Sequence, residues 1–313
     1  MTSVPVFAAR DVEAAVSPER AVEVVRDAFA AYARGEWSMP SKVYVPAYPA
    51  GDFRAMPALG AGFALLKWVT SFPGNPELGL PTVTGLVLLS DAASGMPVAV
   101  LDAGAVTALR TGAAAVLAAE TLGRRDAETA AVIGAGVNGR AVARTFLARG
   151  RRVSLWDVER GRAEAAAEEL GAEVAASREE ALGSDFVATV TPGHQILFAE
   201  GSLRAGQHVS LMGADGPGKA EISVEELARV RVFCDDWEQA SHNGDLVHAV
   251  EAGAITQDEV TQLGDVLVGT TPGRQSKDDI TIFDSTGLAI QDLAIALAVM
   301  ERVGDVAVPR IDL

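Results

Sequence analysis

Lysine is scarce in this sequence, with four in 313 residues, and one of them, Lys67, interrupts the apolar run GFALLKWVTSF. An ammonium inside a segment patterned like a buried strand is costly unless it is paired. There it can hold a carboxylate, or take and release a proton at a reacting nitrogen. A lysine reaching solvent from an edge strand is the plain alternative. Two arginines occupy comparable settings, Arg54 in DFRAMP and Arg110 in VTALRTGAAA. Each can grip a carboxylate through a forked pair of hydrogen bonds, or form an ordinary surface or interdomain salt bridge. Asp215 ends the segment HVSLMGAD, in a loop made tight by Gly213, Gly216, Pro217 and Gly218, and Lys219 follows. A carboxylate just beyond the C-terminal end of a parallel strand lies where such sheets bind ligands; the competing reading is a turn aspartate that caps the next segment. Ser285, Thr286 and Gly287 follow the strand-like ITIF in the same manner.

A second constellation points to a dinucleotide. Gly134-Ala135-Gly136-Val137-Asn138-Gly139 is a GxGxxG that follows the strand-like TAAVI and opens a helix. The first glycine permits a tight turn, the second lets a pyrophosphate approach the backbone, and the third lets the helix pack on the strand. The helix N-terminus then faces the phosphates. Asp157 closes VSLW, 18 residues after Gly139, where a carboxylate accepts the ribose hydroxyls and repels a 2′-phosphate. NAD is therefore favoured over NADP, although Arg160 and Arg162 lie just beyond and could offset the repulsion.

The elements that must position these groups fall into two parts, as a chain of this length leads one to expect. Residues 11–35 have helical spacing, with Ser17-Pro18-Glu19 as the start signal and Gly35 as the stop. KVYVPAY, DFRAMPAL, FALLKWVTSF, TVTGLVLLSD and MPVAVLDA read as strands joined by Gly, Pro, Asn and Asp turns, which suggests an antiparallel sheet. An alanine-rich helix covers 104–122. From Gly123 onward strands and helices alternate: TAAVIGAG, RRVSLWDV, AEVAA, DFVATVTP, HVSLMGAD, RVFCDD and ITIFDSTG. That alternation implies a parallel sheet wrapped by helices. The fold class expected is α/β, a Rossmann-type doubly wound sheet over 123–289 plus a second α/β domain over 1–122 and 290–313. The last helix, LAIQDLAIALAVMERV, is expected to cross back to the first domain.

Composition removes other classes. A net charge of -16 argues against nucleic acid. Salt adaptation and a GC-rich coding sequence both fit the scarcity of lysine. No apolar run is read as long enough to span a bilayer, the N-terminus does not read as a signal peptide, and the single cysteine, Cys234, cannot form an intrachain disulfide. A cytoplasmic location is the expectation. His194, His208, His242 and His248 show no metal spacing, so no metal is expected.

Taken in order, MPSKVYV, GDFRAMPA, LKWVTSFPGNPELGLPTV, ALRTGAAA, GAGVNG, GADGPGK, DDWEQASHNGD and GRQSKDDITIFDSTGLAIQD resemble the ornithine cyclodeaminase/mu-crystallin family over nearly the whole chain. The resemblance implies an N-terminal substrate-binding and dimerisation domain joined by the C-terminal helix, a Rossmann domain between, and a homodimer. It implies that Lys67 and Asp215 are catalytic, and that Arg54, Lys67, Arg110, Thr286 and Gly287 meet the substrate. Thr82, Arg110, Thr111, Gly134, Gly136, Val137, Asn138, Gly139, Asp157, Thr191, Met212, Gly213, Lys219 and Ser285 would contact the cofactor. GADGPGK, DDWEQASHNGD and FDSTGLAIQD look like the archaeal-type alanine dehydrogenase branch. Ala214, Gly216 and Thr286 depart from the cyclodeaminase pattern. The expected activity is NAD-dependent, reversible oxidative deamination of a small L-amino acid, with alanine the first guess. Imine reduction, ornithine cyclisation and a non-catalytic NAD(P)H-binding role are the alternatives.

Overall fold

The computed structural model describes residues 3–193, 195–214, 216, 218–304 and 307–313. The chain forms two compact units, Met1–Arg110 with Leu288–Leu313, and Thr111–Gly287. The sequence reading put the boundaries at 122/123 and 289/290. The first compact unit ends at Arg110, inside the helix Ala103–Leu122, and resumes at Leu288.

The strands of the first unit are β1 (Ser3–Phe7), β2 (Val43–Ala47), β3 (Gly51–Gly60), β4 (Phe63–Ser71), β5 (Val83–Asp91) and β6 (Pro97–Asp102). The last strand in the chain, Arg310–Asp312, pairs antiparallel with β1. From that edge the sheet runs β1-β6-β5-β4-β3-β2. The five consecutive strands from β2 to β6 are antiparallel neighbours, while β1 lies parallel to β6. Both the Ser3–Phe7 and Arg310–Asp312 strands went unread in the sequence, being short segments at the chain ends. Along β4, Leu65, Lys67 and Val69 turn to the buried face while Leu66 and Trp68 turn outward, as period-2 side-chain alternation requires. On the buried face, helix Pro18–Ala33 packs against helix Ala289–Met300, which in turn contacts β3 and β4. Ser17 caps the first of these helices by accepting from the Arg20 amide, with Pro18 opening it; Gly35, just past its end, has φ +71°.

The second unit contains β7 (Thr129–Ile133), β8 (Arg152–Trp156), β9 (Glu173–Val174), β10 (Phe186–Thr189), β11 (His208–Leu211), β12 (Arg231–Cys234), β13 (Val260–Gln262) and β14 (Thr281–Asp284). All neighbours are parallel, in the order β13-β12-β14-β11-β10-β7-β8-β9. The chain leaves β7 toward β8 and β9, then returns to β10 on the other side of β7. The order therefore reverses between β7 and β10, the switch point at which doubly wound sheets bind nucleotides. Ile133, Val187, Val209, Leu211, Val232, Cys234 and Ile282 belong to its core. The three-residue β13 has too short a pattern to have been read.

One sequence expectation needs correction. Helix Ala103–Leu122 is long and apolar enough, by length and composition, to cross a membrane, and 78% of its most apolar window is buried within the protein. Its alanines and leucines fill the interior, with Ala113 through Ala119 and Leu122 almost fully shielded.

Candidate active site

In the first unit, strand register gathers the cations. Met56 and Val87 flank Lys67 across the ladder, and Arg54 pairs with Val69. Opposed residues share a face, so Arg54 and Lys67 both point to the buried side of the sheet. Lys67 is 1% exposed. It donates to Asp292 Oδ1 at 2.8 Å and to Thr107 Oγ1 at 3.4 Å. Arg110, one helical turn after Thr107, places its Nε 3.7 Å from the same Asp292 oxygen. Asp292 thus joins two cations, and Arg54 has its own acid, donating from Nε to Asp52 Oδ1 at 2.6 Å. Burial pushes the Lys67 ammonium down to about 8; Arg110 and Arg54 push the same way, and Asp292 opposes them. At that value the amine can hold or release a proton near neutrality, which an exposed lysine cannot.

Asp292 was missed in the sequence, although a signal existed: it is the one charged residue in AIQDLAIALAVM. A lone charge in an apolar segment is costly to bury unless it is paired, in a helix as in a strand. Thr82 also belongs to the first unit, in the turn before β5, where its carbonyl accepts from the Phe72 amide.

In the second unit, the glycine loop links β7 to helix Val137–Ala148. Gly134 has φ +101°, and its amide donates to the Trp156 carbonyl. Gly139 packs so closely on the Gly134 carbonyl that a side chain there could not fit. Gly136 is the helix N-cap and supplies no side-chain bond to the first turn, and a Cβ on it would meet no atom within 4 Å. Open space over a helix N-terminus fits a pyrophosphate. Asp157 accepts from Ala135 N at 2.8 Å and from Glu159 N at 2.9 Å. The carboxylate is thereby fixed, with lone pairs left for ribose hydroxyls. Arg160 is paired with Glu164 and Arg162 with Glu159, so neither arginine is committed to countering Asp157.

Past β10 and β14 the second unit holds buried acids that sequence reasoning did not assign. Thr191, expected at the cofactor, donates its hydroxyl to Glu221, as does Thr189. Met212 continues the strand end through its amide to the Thr189 carbonyl, and Gly213 is buried beside it. Lys219 lies near enough to Glu221 and Asp245 to lower their proton affinity, against the larger effect of burial. Asp235 clamps the turn after β14: its carboxylate accepts from Ser285 Oγ at 3.0 Å, Thr286 Oγ1 at 3.4 Å and Gly287 N at 2.8 Å. The Thr111 hydroxyl is buried, with no hydrogen-bond partner among the described residues. Asp215 and His194 lie outside the described residues. Among the described residues no group of three or more His, Cys, Asp and Glu side chains is placed to hold a metal.

Residues 4–306 match the sequence model of the ornithine cyclodeaminase/mu-crystallin family. The chain belongs to this family. An alanine dehydrogenase of Archaeoglobus fulgidus is 41% identical over 301 residues, covering 93% of this chain and 92% of the relative. A solved archaeal alanine dehydrogenase dimer with bound NAD superposes with a TM-score of 0.94 at 39% identity, covering 100% of both chains. The Δ1-pyrroline-2-carboxylate reductase of Thermococcus litoralis, solved with NADH and L-proline, superposes with a TM-score of 0.91 at 26% identity, covering 99% of this chain and 100% of that one. The family thus joins NAD-dependent oxidoreductases to cyclodeaminases on one fold.

The buried acids give a pH-dependent stability. Burial, then the neighbouring Glu221, pushes Asp245 from 3.8 up to about 8; burial, then Asp245 and Asp235, pushes Asp284 well above the usual range. Between the unfolded and folded values the native state holds the extra proton, so stability falls as pH rises through that window. Asp245→Asn keeps an oxygen to accept from the Glu221 amide and removes the titration. Its melting temperature should gain on the wild type as pH goes from 5 to 8, by several degrees. A constant difference across that range would mean that Asp245 is already charged at pH 5.

Proposed function

We propose that this protein catalyses the reversible NAD-dependent oxidative deamination of a small L-amino acid, with L-alanine the leading substrate. The observation that carries this reading is the buried Lys67, held by Asp292 among Arg54 and Arg110, in a chain 41% identical to an alanine dehydrogenase. Arg54 and Arg110 hold the substrate carboxylate by charge-assisted hydrogen bonds. Bound NAD supplies the hydride acceptor for Cα. Lys67 and Asp215 share the proton transfers at nitrogen and at the water that releases ammonia and the 2-oxo acid. Gly134, Gly136, Val137, Asn138 and Gly139 cradle the pyrophosphate, and Asp157 takes the ribose. Thr82, Thr111, Thr191, Met212, Gly213, Lys219 and Ser285 complete the cofactor's surroundings, with Thr286 and Gly287 beside the substrate.

Reduction of a preformed imine is the second reading, favoured by the likeness to the Thermococcus litoralis reductase. NADH oxidation with pyruvate plus ammonia, pyruvate plus methylamine, and a cyclic ketimine separates the two. Deamination requires turnover with the first pair; activity confined to the other two assigns the chain to imine reduction. In either case Lys67→Ala and Asp215→Asn should each lose about 10²–10⁴-fold in rate while NADH still binds. Near-normal turnover in a folded variant would remove that residue from the mechanism.

Cofactor choice rests on Asp157. Asp157→Ser removes a carboxylate that serves the ribose and also steadies the Ala135 amide. Efficiency with NAD should fall, and the NADP-to-NAD efficiency ratio should rise about 10-fold or more, the worth of one hydrogen bond to a charged group. A wild type that prefers NADP would contradict this account.

The proposal includes a homodimer. The outward face of the antiparallel sheet is apolar: Leu66 opposes Leu88, Trp68 opposes Leu86, and Leu86 and Trp68 are 57% and 42% exposed. Val43 and Val45 extend the apolar surface on β2. A contiguous patch of this kind marks a protein contact, and the archaeal alanine dehydrogenase is a dimer. Light scattering should give twice the chain mass, and Leu86→Glu should give a monomer. A dimer that survives that change uses another surface.

A further inference from the structure

Lys67 has neighbours on every side. From β3 come Arg54, paired with Asp52, and the apolar Met56; from β5 comes Val87. Helix Ala103–Leu122 supplies Thr107 and Arg110, and the C-terminal helix supplies Asp292. Of the groups the structure sets against the ammonium, two are further cations, Arg54 and Arg110, and Asp292 is the carboxylate that bonds it. Asp292 stands in the first turn of helix Ala289–Met300, where the helix dipole favours negative charge. It is completely buried, so it answers to these cations and not to solvent.

We propose that Asp292 is a positioning residue for the reaction: by bonding Lys67 and bridging to Arg110, it fixes where the ammonium points and keeps it protonated at neutral pH. This deepens the functional reading above and rests on Lys67 acting at the substrate. Without Asp292, burial and two arginines drive the amine toward its neutral form. The residue acts through Lys67 and Arg110 and need not touch substrate.

The scarcity of lysine makes the test direct. Full-length protein carrying [ε-13C]lysine, saturated with NADH, has four lysine Cε signals to follow, and the signal lost in Lys67→Arg identifies Lys67. In the wild type it should titrate near pH 8. In Asp292→Asn the midpoint should move down by about 1–3 units, the usual effect of an opposite charge at this range. With whichever substrate the wild type turns over, the limb of the pH–rate profile that follows Lys67 should move with it. An unmoved Lys67 midpoint in folded Asp292→Asn overturns the proposal. Asp292→Glu retains the charge and displaces it, so the lysine should titrate close to the wild-type pH while kcat falls. A folded Asp292→Glu enzyme with undiminished kcat overturns the positioning role, even if the Asn variant does not fold. The titration uses no substrate. A chain that reduces imines and leaves pyruvate and ammonia untouched therefore overturns the alanine reading and leaves this test standing.

Discussion

An ammonium cannot remain inside a sheet of Leu65, Val69, Val87 and Leu89 without a counter-charge, and here that counter-charge lies 225 residues further along the chain. The Lys67–Asp292 pair ties the last long helix to the first sheet. The connection shapes the topology, because the entire second unit is inserted in the sequence between the two halves of the unit that holds the pair. Removing one partner of a buried pair typically costs about 3–5 kcal/mol, since the other charge is left without compensation. A hydrophobic pair of equal volume would hold the helix as well or better. That a lysine and an aspartate stand there instead is an argument for chemistry over stability.

The second unit shows the same preference in the opposite sign. Glu221, Asp235, Asp245 and Asp284 are buried. Glu221 raises the proton affinity of Asp245, and Asp245 and Asp235 raise that of Asp284, as close carboxylates do. Each binds backbone or hydroxyl donors: Glu221 fixes Thr189 and Thr191, Asp284 accepts from the Leu246 amide, and Asp235 fixes the turn Ser285-Thr286-Gly287. Turns at these strand ends are the ones a Rossmann-type sheet uses for ligands. Acids that clamp the loops from beneath let polar residues hold one conformation without competing for the surface above.

Much of this was legible in the sequence, and the reasons differ by element. The glycine loop could be read because each glycine has a local cause: a positive φ at Gly134, a close contact at Gly139. The long strands could be read because alternation over nine or ten residues is a strong pattern, as in β3 and β4. Lys67 was legible as an interruption of that pattern. The three-residue strand β13 and the pairing of the chain ends were not, since they are decided by tertiary contact. Asp292 was less legible, because a single acid in a helix breaks no alternation, whereas a lysine in a strand does. Its partner is visible only once the C-terminal helix is laid on β4. The acids at Asp235, Asp245 and Glu221 were hidden for the same reason: each looks like an ordinary strand end or turn until the sheet stacks them.

Strand β4 connects these themes. Its inward residues carry Lys67 to Asp292, and the residues on either side, Leu66 and Trp68, form the outward apolar face. In a β-strand a slip of one residue exchanges the two faces. Such a slip would place the ammonium on the apolar surface and the indole against Asp292. Both ends of that exchange are unfavourable, so the charge pair within and the apolar patch without hold the same register. The antiparallel ladder from β3 through β5 then carries that register to Arg54 on one side and to Leu86 and Leu88 on the other. The chemistry proposed for the inner face and the dimer contact proposed for the outer one are thereby set by a single alignment of strands.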